Sequence, residues 1–157
     1  MILLENFKGL RLRFHHIVCL QGFVGYGYSD SFTRNLQSVV EKIADGYTNR
    51  ILKLTFSPDE VCMLCPNLID GMCKMEEKII RLDKAVYRVL KKSCFWKGLK
   101  TLYRPGDVFR AVNRNSLVIS RVVCRGCRWQ DVCAWFKMNR VKAITNCHVV
   151  GGELIRC

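Results

Sequence analysis

The sequence predicts a small, helix-rich α+β single domain with a few short strands, cross-linked by one or two cysteine-ligated metal centres. Three observations carry this. The 157 residues are half hydrophobic and a quarter charged, which suits one packed core. Apolar residues recur at helical spacing in several stretches and alternate over a few short ones. Most of the ten cysteines fall in two clusters. The cysteine-rich domain is expected over 1–135, with 136–157 as a C-terminal extension.

The run from Leu10 to Leu20 alternates at first, like a strand, and then takes a pattern that fits either a strand or the start of a helix. Gly22, Gly25 and Gly27, with Phe23, Tyr26 and Tyr28 between them, form a Gly/aromatic loop. It lacks the Gly-Lys-Ser/Thr ending of a phosphate loop and the spacing of a dinucleotide fingerprint. Ser29 or Ser31 is placed to cap a helix whose face carries Phe32, Leu36, Val39, Val40 and Ile43, and Gly46 is a natural stop. Residues 51–56 alternate and predict a short strand. Ser57-Pro58-Asp59-Glu60 predicts a helix start with a capping box just before Cys62. Pro66 and Gly71 then break that helix and return Cys73 toward Cys62 and Cys65. Lys74 to Lys92 is the clearest helix, striped by Ile79, Leu82, Val86, Val89 and Leu90. Arg104-Pro105-Gly106-Asp107 is a turn followed by a short helix. Leu117-Val118-Ile119 reads as a strand, and no regular element is assigned after Phe136.

Glu5 and Lys8 interrupt the apolar start, so the reading is that of a chain without a signal peptide. No stretch reaches the roughly 18 apolar residues of a membrane span. A soluble cytoplasmic protein without a membrane partner is expected. In a reducing compartment, clustered cysteines bind metal or do redox chemistry more often than they form disulfides.

The two triads are Cys62-x2-Cys65-x7-Cys73 and Cys124-x2-Cys127-x5-Cys133. Each places three thiols within reach of one centre, and both zinc and iron–sulfur clusters require four ligands. The fourth is to be drawn from Cys19, His15, His16, Cys94, Cys147, His148 and Cys157, or the triads pool their thiols. The spacing matches neither the ferredoxin run nor a zinc ribbon. His15 and His16 read first as a structural hydrogen-bonding pair, and as possible ligands second. Trp129 and Trp135 read as packing around the second triad, and Tyr26 and Tyr28 as loop packing.

The formal charge is +13. Metal-bound cysteines are thiolates, so a centre would cancel part of it. The basic residues are dispersed, among them Arg11, Arg13, Lys91, Lys92, Lys97, Lys100, Arg121, Arg125, Arg128, Lys137, Arg140 and Lys142. A solvated basic surface is the plain reading. Those around the second triad suit docking of an acidic redox partner protein or of nucleic acid. No hydrolase, kinase or paired-histidine metalloprotease motif is present.

The stretch Arg11-Leu-Arg-Phe-His-His-Ile-Val-Cys-Leu-Gln-Gly-Phe-Val-Gly-Tyr-Gly-Tyr-Ser29, followed by Cys62-x-x-Cys-Pro66, Gly71-x-Cys73, Asp83 and Cys124-x-x-Cys-x-Trp with Cys133, resembles the short prokaryotic proteins of the domain of unknown function 1284 family. Phe14 stands where the family pattern has proline. The resemblance implies an iron–sulfur cluster, with 4Fe–4S favoured, held by ligands among Cys19, Cys62, Cys65, Cys73, Cys124, Cys127 and Cys133. It implies no substrate or reaction; electron transfer and structural or sensing roles are the expected range. The alternatives are a zinc-stabilised nucleic-acid-binding module and a thiol oxidoreductase acting through Cys62 and Cys65.

Overall fold

The computed structural model describes residues 9–46, 50–93, 102–145, 149–150 and 153–154, with side chains to residue 139. Cys94, Lys97, Lys100, Cys147, His148 and Cys157 lie outside the described residues, as do the side chains of Arg140 and Lys142. Among the described residues the chain is an α+β domain with six α-helices and short strands.

Strand β1 (Leu10–Arg13) pairs in parallel with β2 (Leu52–Thr55), setting Leu10 against Leu52 and Leu12 against Leu54. The strand β5 (Leu102–Tyr103) joins β2 antiparallel and completes a three-stranded sheet of order β1-β2-β5. Leu12 and Leu52 are fully buried in the core that this sheet shares with the helices. A parallel pair needs a crossover, and α1 (His16–Cys19) with α2 (Asp30–Asp45) supplies it. Ser29 caps α2 by accepting the Phe32 N–H, and Phe32, Val39 and Ile43 face the core, as the apolar spacing predicts. Helix α3 (Glu76–Lys92) buries Val86 and Leu90, and also Asp83. Pro105 opens α4 (Pro105–Arg114) at the position where its missing N–H costs nothing.

Three expectations are corrected. Residues 57–60 do not start an α-helix. Asp59, not Ser57, takes the local donors: its Oδ1 accepts from the N–H groups of Val61 and Cys62, and only a 3-10 turn, Cys62–Leu64, forms. Residues 117–119 belong to helix α5 (Ser116–Val123), not to a strand; Ser116, Ile119 and Val123 are its buried residues, at spacings of three and four. After Phe136 the chain is helical, in α6 (Ala134–Thr145), and beyond it β6 (Val149–Val150) pairs with β7 (Glu153–Leu154). Trp135 anchors α6 in the core at 2 % exposure, its Nε1 donating to Asn113 Oδ1 at 2.7 Å.

The return of Cys73 follows the expected route. β3 (Leu68–Ile69) and β4 (Met72–Cys73) form a hairpin that puts Cys73 opposite Leu68. Asp70 and Gly71 have φ values of 47° and 77° at its tip. Two successive positive-φ residues match the tight turn that the strand twist favours, and Gly71 adopts its value without strain.

Candidate metal centre

The cysteines fall into two groups, and each recruits residues from the segment 13–22. The first contains Cys62, Cys65 and Cys73. The 3-10 turn closes with the Cys65 N–H on Cys62 O at 2.9 Å, and Leu68 N–H then bonds Cys65 O at 3.0 Å. These three cysteines line one small cavity, of about 70 Å³, together with Arg13, His15 and His16.

The walls of that cavity are held by a buried polar network. Arg13 breaks the alternation of β1 and is completely buried, which corrects its reading as part of a solvated surface. Its Nε donates to Asp83 Oδ2 at 2.8 Å, and its two terminal nitrogens donate to the Glu76 carboxylate at 3.2 and 3.0 Å. His15 Nδ1 meets Asp83 Oδ1 at 2.6 Å, and His16 Nδ1 meets Asp59 Oδ2 at 2.7 Å. The histidine rings lie side by side, with centroids 4.0 Å apart. Burial, with the charge of His16, pushes the His15 pKa down to about 4, against the pull of Asp83. His15 is therefore neutral at pH 7, and a neutral ring that donates from Nδ1 keeps its Nε2 lone pair free. Burial pushes the Asp59 carboxyl upward, but His16 and the Arg13 backbone N–H outweigh it and hold the pKa at about 2. Asp83 is likewise depressed, burial notwithstanding, by His15 and Arg13. A histidine fixed by a carboxylate on one nitrogen is how metal-binding histidines are oriented.

A ring nitrogen of His16, a carboxylate oxygen of Asp59 and Cys62 Sγ lie within 4.8 Å of one another. Asp59 has no capacity to spare. Its Oδ1 accepts two backbone N–H groups, and its Oδ2 takes the Arg13 N–H at 2.6 Å along with His16. It positions His16 and Cys62. Burial, and next the charge of Asp59, raise the Cys62 thiol pKa well above its ordinary value.

The second group is Cys19 with Cys124, Cys127 and Cys133. Cys19 ends α1, Cys124 follows α5, and Cys133 precedes α6. Between them the chain makes successive turns, Cys127 N–H to Cys124 O at 2.9 Å and Cys133 N–H to Trp129 O at 2.9 Å, with Gly126 at φ 72°. The Gln130 amide also bonds Cys124 O. Cys19 is exposed by surface area, yet burial is the largest cause raising its thiol pKa, followed by the charges of Cys127, Cys124 and Cys133. Burial raises Cys124 to about 12, with Cys127 and Cys133 adding to it. Gly22, on the 3-10 turn after Cys19, lies under this group: a Cβ there would overlap Cys133 Sγ.

Backbone N–H groups point at the sulfurs of both groups. Met75 N–H approaches Cys73 Sγ at 3.5 Å, Trp129 N–H approaches Cys127 Sγ at 3.4 Å, and Phe136 N–H approaches Cys133 Sγ at 3.4 Å. Donors two or three residues beyond a cysteine stabilise a thiolate, and they tune the sulfurs of metal centres. The donor set and these N–H groups suit thiolate-bound metal.

Tyr28 stands between the groups. Burial first, then the charges of Cys65, Cys19 and Cys127, raise its pKa. Its ring meets Trp129 edge-on at 5.5 Å, and the Arg128 guanidinium lies 5.8 Å from the Tyr28 ring centroid and 5.4 Å from that of Trp129. Sequence reading placed Gly22 in a loop, Asp59 at a helix start and Arg13 on a basic surface, and gave none of them a part in the site. Asp83 stood only as a matched position in the resemblance. An acidic residue on the apolar stripe of α3 is the signal that points to it.

No curated protein and no solved structure matches the chain. The model of one family matches residues 27–133, a span that includes both triads and leaves His15, His16 and Cys19 outside it. With more than half of its length matched, the chain belongs to the family described as "Protein of unknown function (DUF1284)".

Proposed function

We propose that this protein binds an iron–sulfur cluster through Cys19, Cys124, Cys127 and Cys133. The observation that carries the reading is that two parts of the chain bring four thiols together: the turn directly after Cys19 packs at Gly22 against Cys133 Sγ, and the charges of Cys127, Cys124 and Cys133 bear on the Cys19 thiol. Seven candidate thiols exceed one four-ligand site, and this grouping assigns four of them together. The choice of an iron–sulfur cluster over a single zinc ion rests on the resemblance of the cysteine pattern to the family.

The surroundings support an anionic centre. Arg125, Arg128 and Lys137 are exposed around the segment that carries Cys124, Cys127 and Cys133. Their charge offsets that of the cluster and suits an acidic redox partner, whose association would weaken with salt. The cluster, when bound, supplies one-electron exchange. The chain's own part is to hold four thiolates, donate N–H groups to their sulfurs and limit water.

Anaerobic purification tests this. The protein should be brown, with iron and acid-labile sulfide, and Cys127→Ser should lose both. A colourless protein that also fails to take up iron and sulfide on anaerobic reconstitution would overturn the reading.

A further inference from the structure

The first triad is left unused by the cluster, and its surroundings differ in kind. It has three thiols, not four, and the cavity they line also carries two imidazoles. We propose that Cys62, Cys65, Cys73 and His16 form a second, separate centre for a single zinc-class divalent ion. Three cysteines and one histidine are an established closed set for structural zinc.

Four observations carry it. A ring nitrogen of His16 lies within 4.8 Å of Cys62 Sγ, so the imidazole and this thiol are neighbours on one wall. Cys65 and Cys73 line the same cavity as His16 and Cys62. His16 is oriented through Nδ1 by Asp59, itself held by three backbone N–H groups, which leaves the opposite ring nitrogen for an ion. The hairpin that delivers Cys73 is only two residues per strand, too short to be stable alone, and a tether between the 3-10 turn and β4 gives it a reason to persist. His15 lines the cavity but is assigned to the Asp83 network rather than to the ion.

The test uses the full chain, purified anaerobically, with zinc and iron counted per chain. The wild type should hold one zinc alongside its iron. His16→Ala should lose most of the zinc and keep the iron; Cys127→Ser should do the reverse. His16→Cys, which restores a fourth ligand, should restore zinc binding. Should His16→Ala not fold, metal-free Cys127→Ser protein titrated with cobalt(II) decides. Bands of a tetrahedral three-thiolate site support the proposal. Their absence, a four-thiolate spectrum, or zinc at the wild-type level in folded His16→Ala overturns it. Because iron is read separately, failure of this site is distinguishable from failure of the cluster reading.

Discussion

Asp83 Oδ1 and His15 Nδ1 meet at 2.6 Å across 68 residues of sequence. The same oxygen accepts the His15 backbone N–H at 3.0 Å, while Oδ2 takes Arg13. One fully buried carboxylate on α3 therefore fixes both the end of β1 and the histidine pair. Segment 13–22 feeds both cysteine groups, so Asp83 positions residues for each without touching a thiol.

Replacing one member of this network is expected to cost more than replacing the set. Asp83→Asn leaves the fully buried Arg13 with only the part-exposed Glu76 as a charge partner. Breaking a buried pair from one side costs about 3–5 kcal/mol. Urea denaturation should show that loss for Asp83→Asn, and a smaller one for the double variant Arg13→Met with Asp83→Leu. Equal losses would mean that the network's charge is not what holds these elements.

Gly22 and Gly25 make a controlled comparison. Alanine at Gly22 collides with Cys133 Sγ, whereas a Cβ at Gly25 meets nothing but sits at φ 90°. Gly22→Ala should destabilise by about 1–3 kcal/mol through overpacking and lower the iron content, because Cys133 is displaced. Gly25→Ala should cost a comparable 1–3 kcal/mol or so in backbone strain and leave the iron unchanged. Thermal melting with iron analysis separates the two.

Metal removal should loosen each group locally. The amides of Met75 and Trp129 point at the sulfurs of Cys73 and Cys127. An N–H bonded to a metal-held thiolate resists exchange, so chelation should increase deuterium uptake at these amides more than at Val86 or Leu90 in the core of α3. Uniform uptake across the chain would indicate global unfolding instead.

Trp135→Phe tests the joint between α6 and α4. It keeps an aromatic ring in the core but deletes the donor to Asn113 Oδ1. A loss of about 1 kcal/mol is expected by urea denaturation. Iron content should stay near the wild-type level, since the backbone of Cys133 is held by Trp129 O.

The readable elements were those whose signals are local. Ser29 and the Phe32–Ile43 spacing mark α2 because a cap and an apolar stripe both lie within one helix. Gly71 marks the return of the chain toward Cys73 because glycine takes a positive φ without strain. Residues 57–60 misled because Ser57, Pro58 and Glu60 carry the chemistry of a capping box, whereas Asp59 takes the local N–H groups on one oxygen and Arg13 and His16 on the other, whose arrival is a tertiary event. Residues 117–119 misled because β-branched runs fit a strand or a buried helix equally, and packing against α3 and α6 decides.

The sequence by itself determined that two cysteine triads exist and that the chain folds as a helix-rich α+β domain. Which residues stand beside each triad was a tertiary decision. Cys19 and His16 are three residues apart on one short helix, and both stood among the candidates on paper. They sit at its two ends, one turn apart along the axis, and meet different neighbours: Cys124, Cys127 and Cys133 for Cys19, and Asp59 and Cys62 for His16. That separation depends on β1 ending at a buried Arg13 and on Asp83 holding His15, contacts across tens of residues that no local pattern encodes.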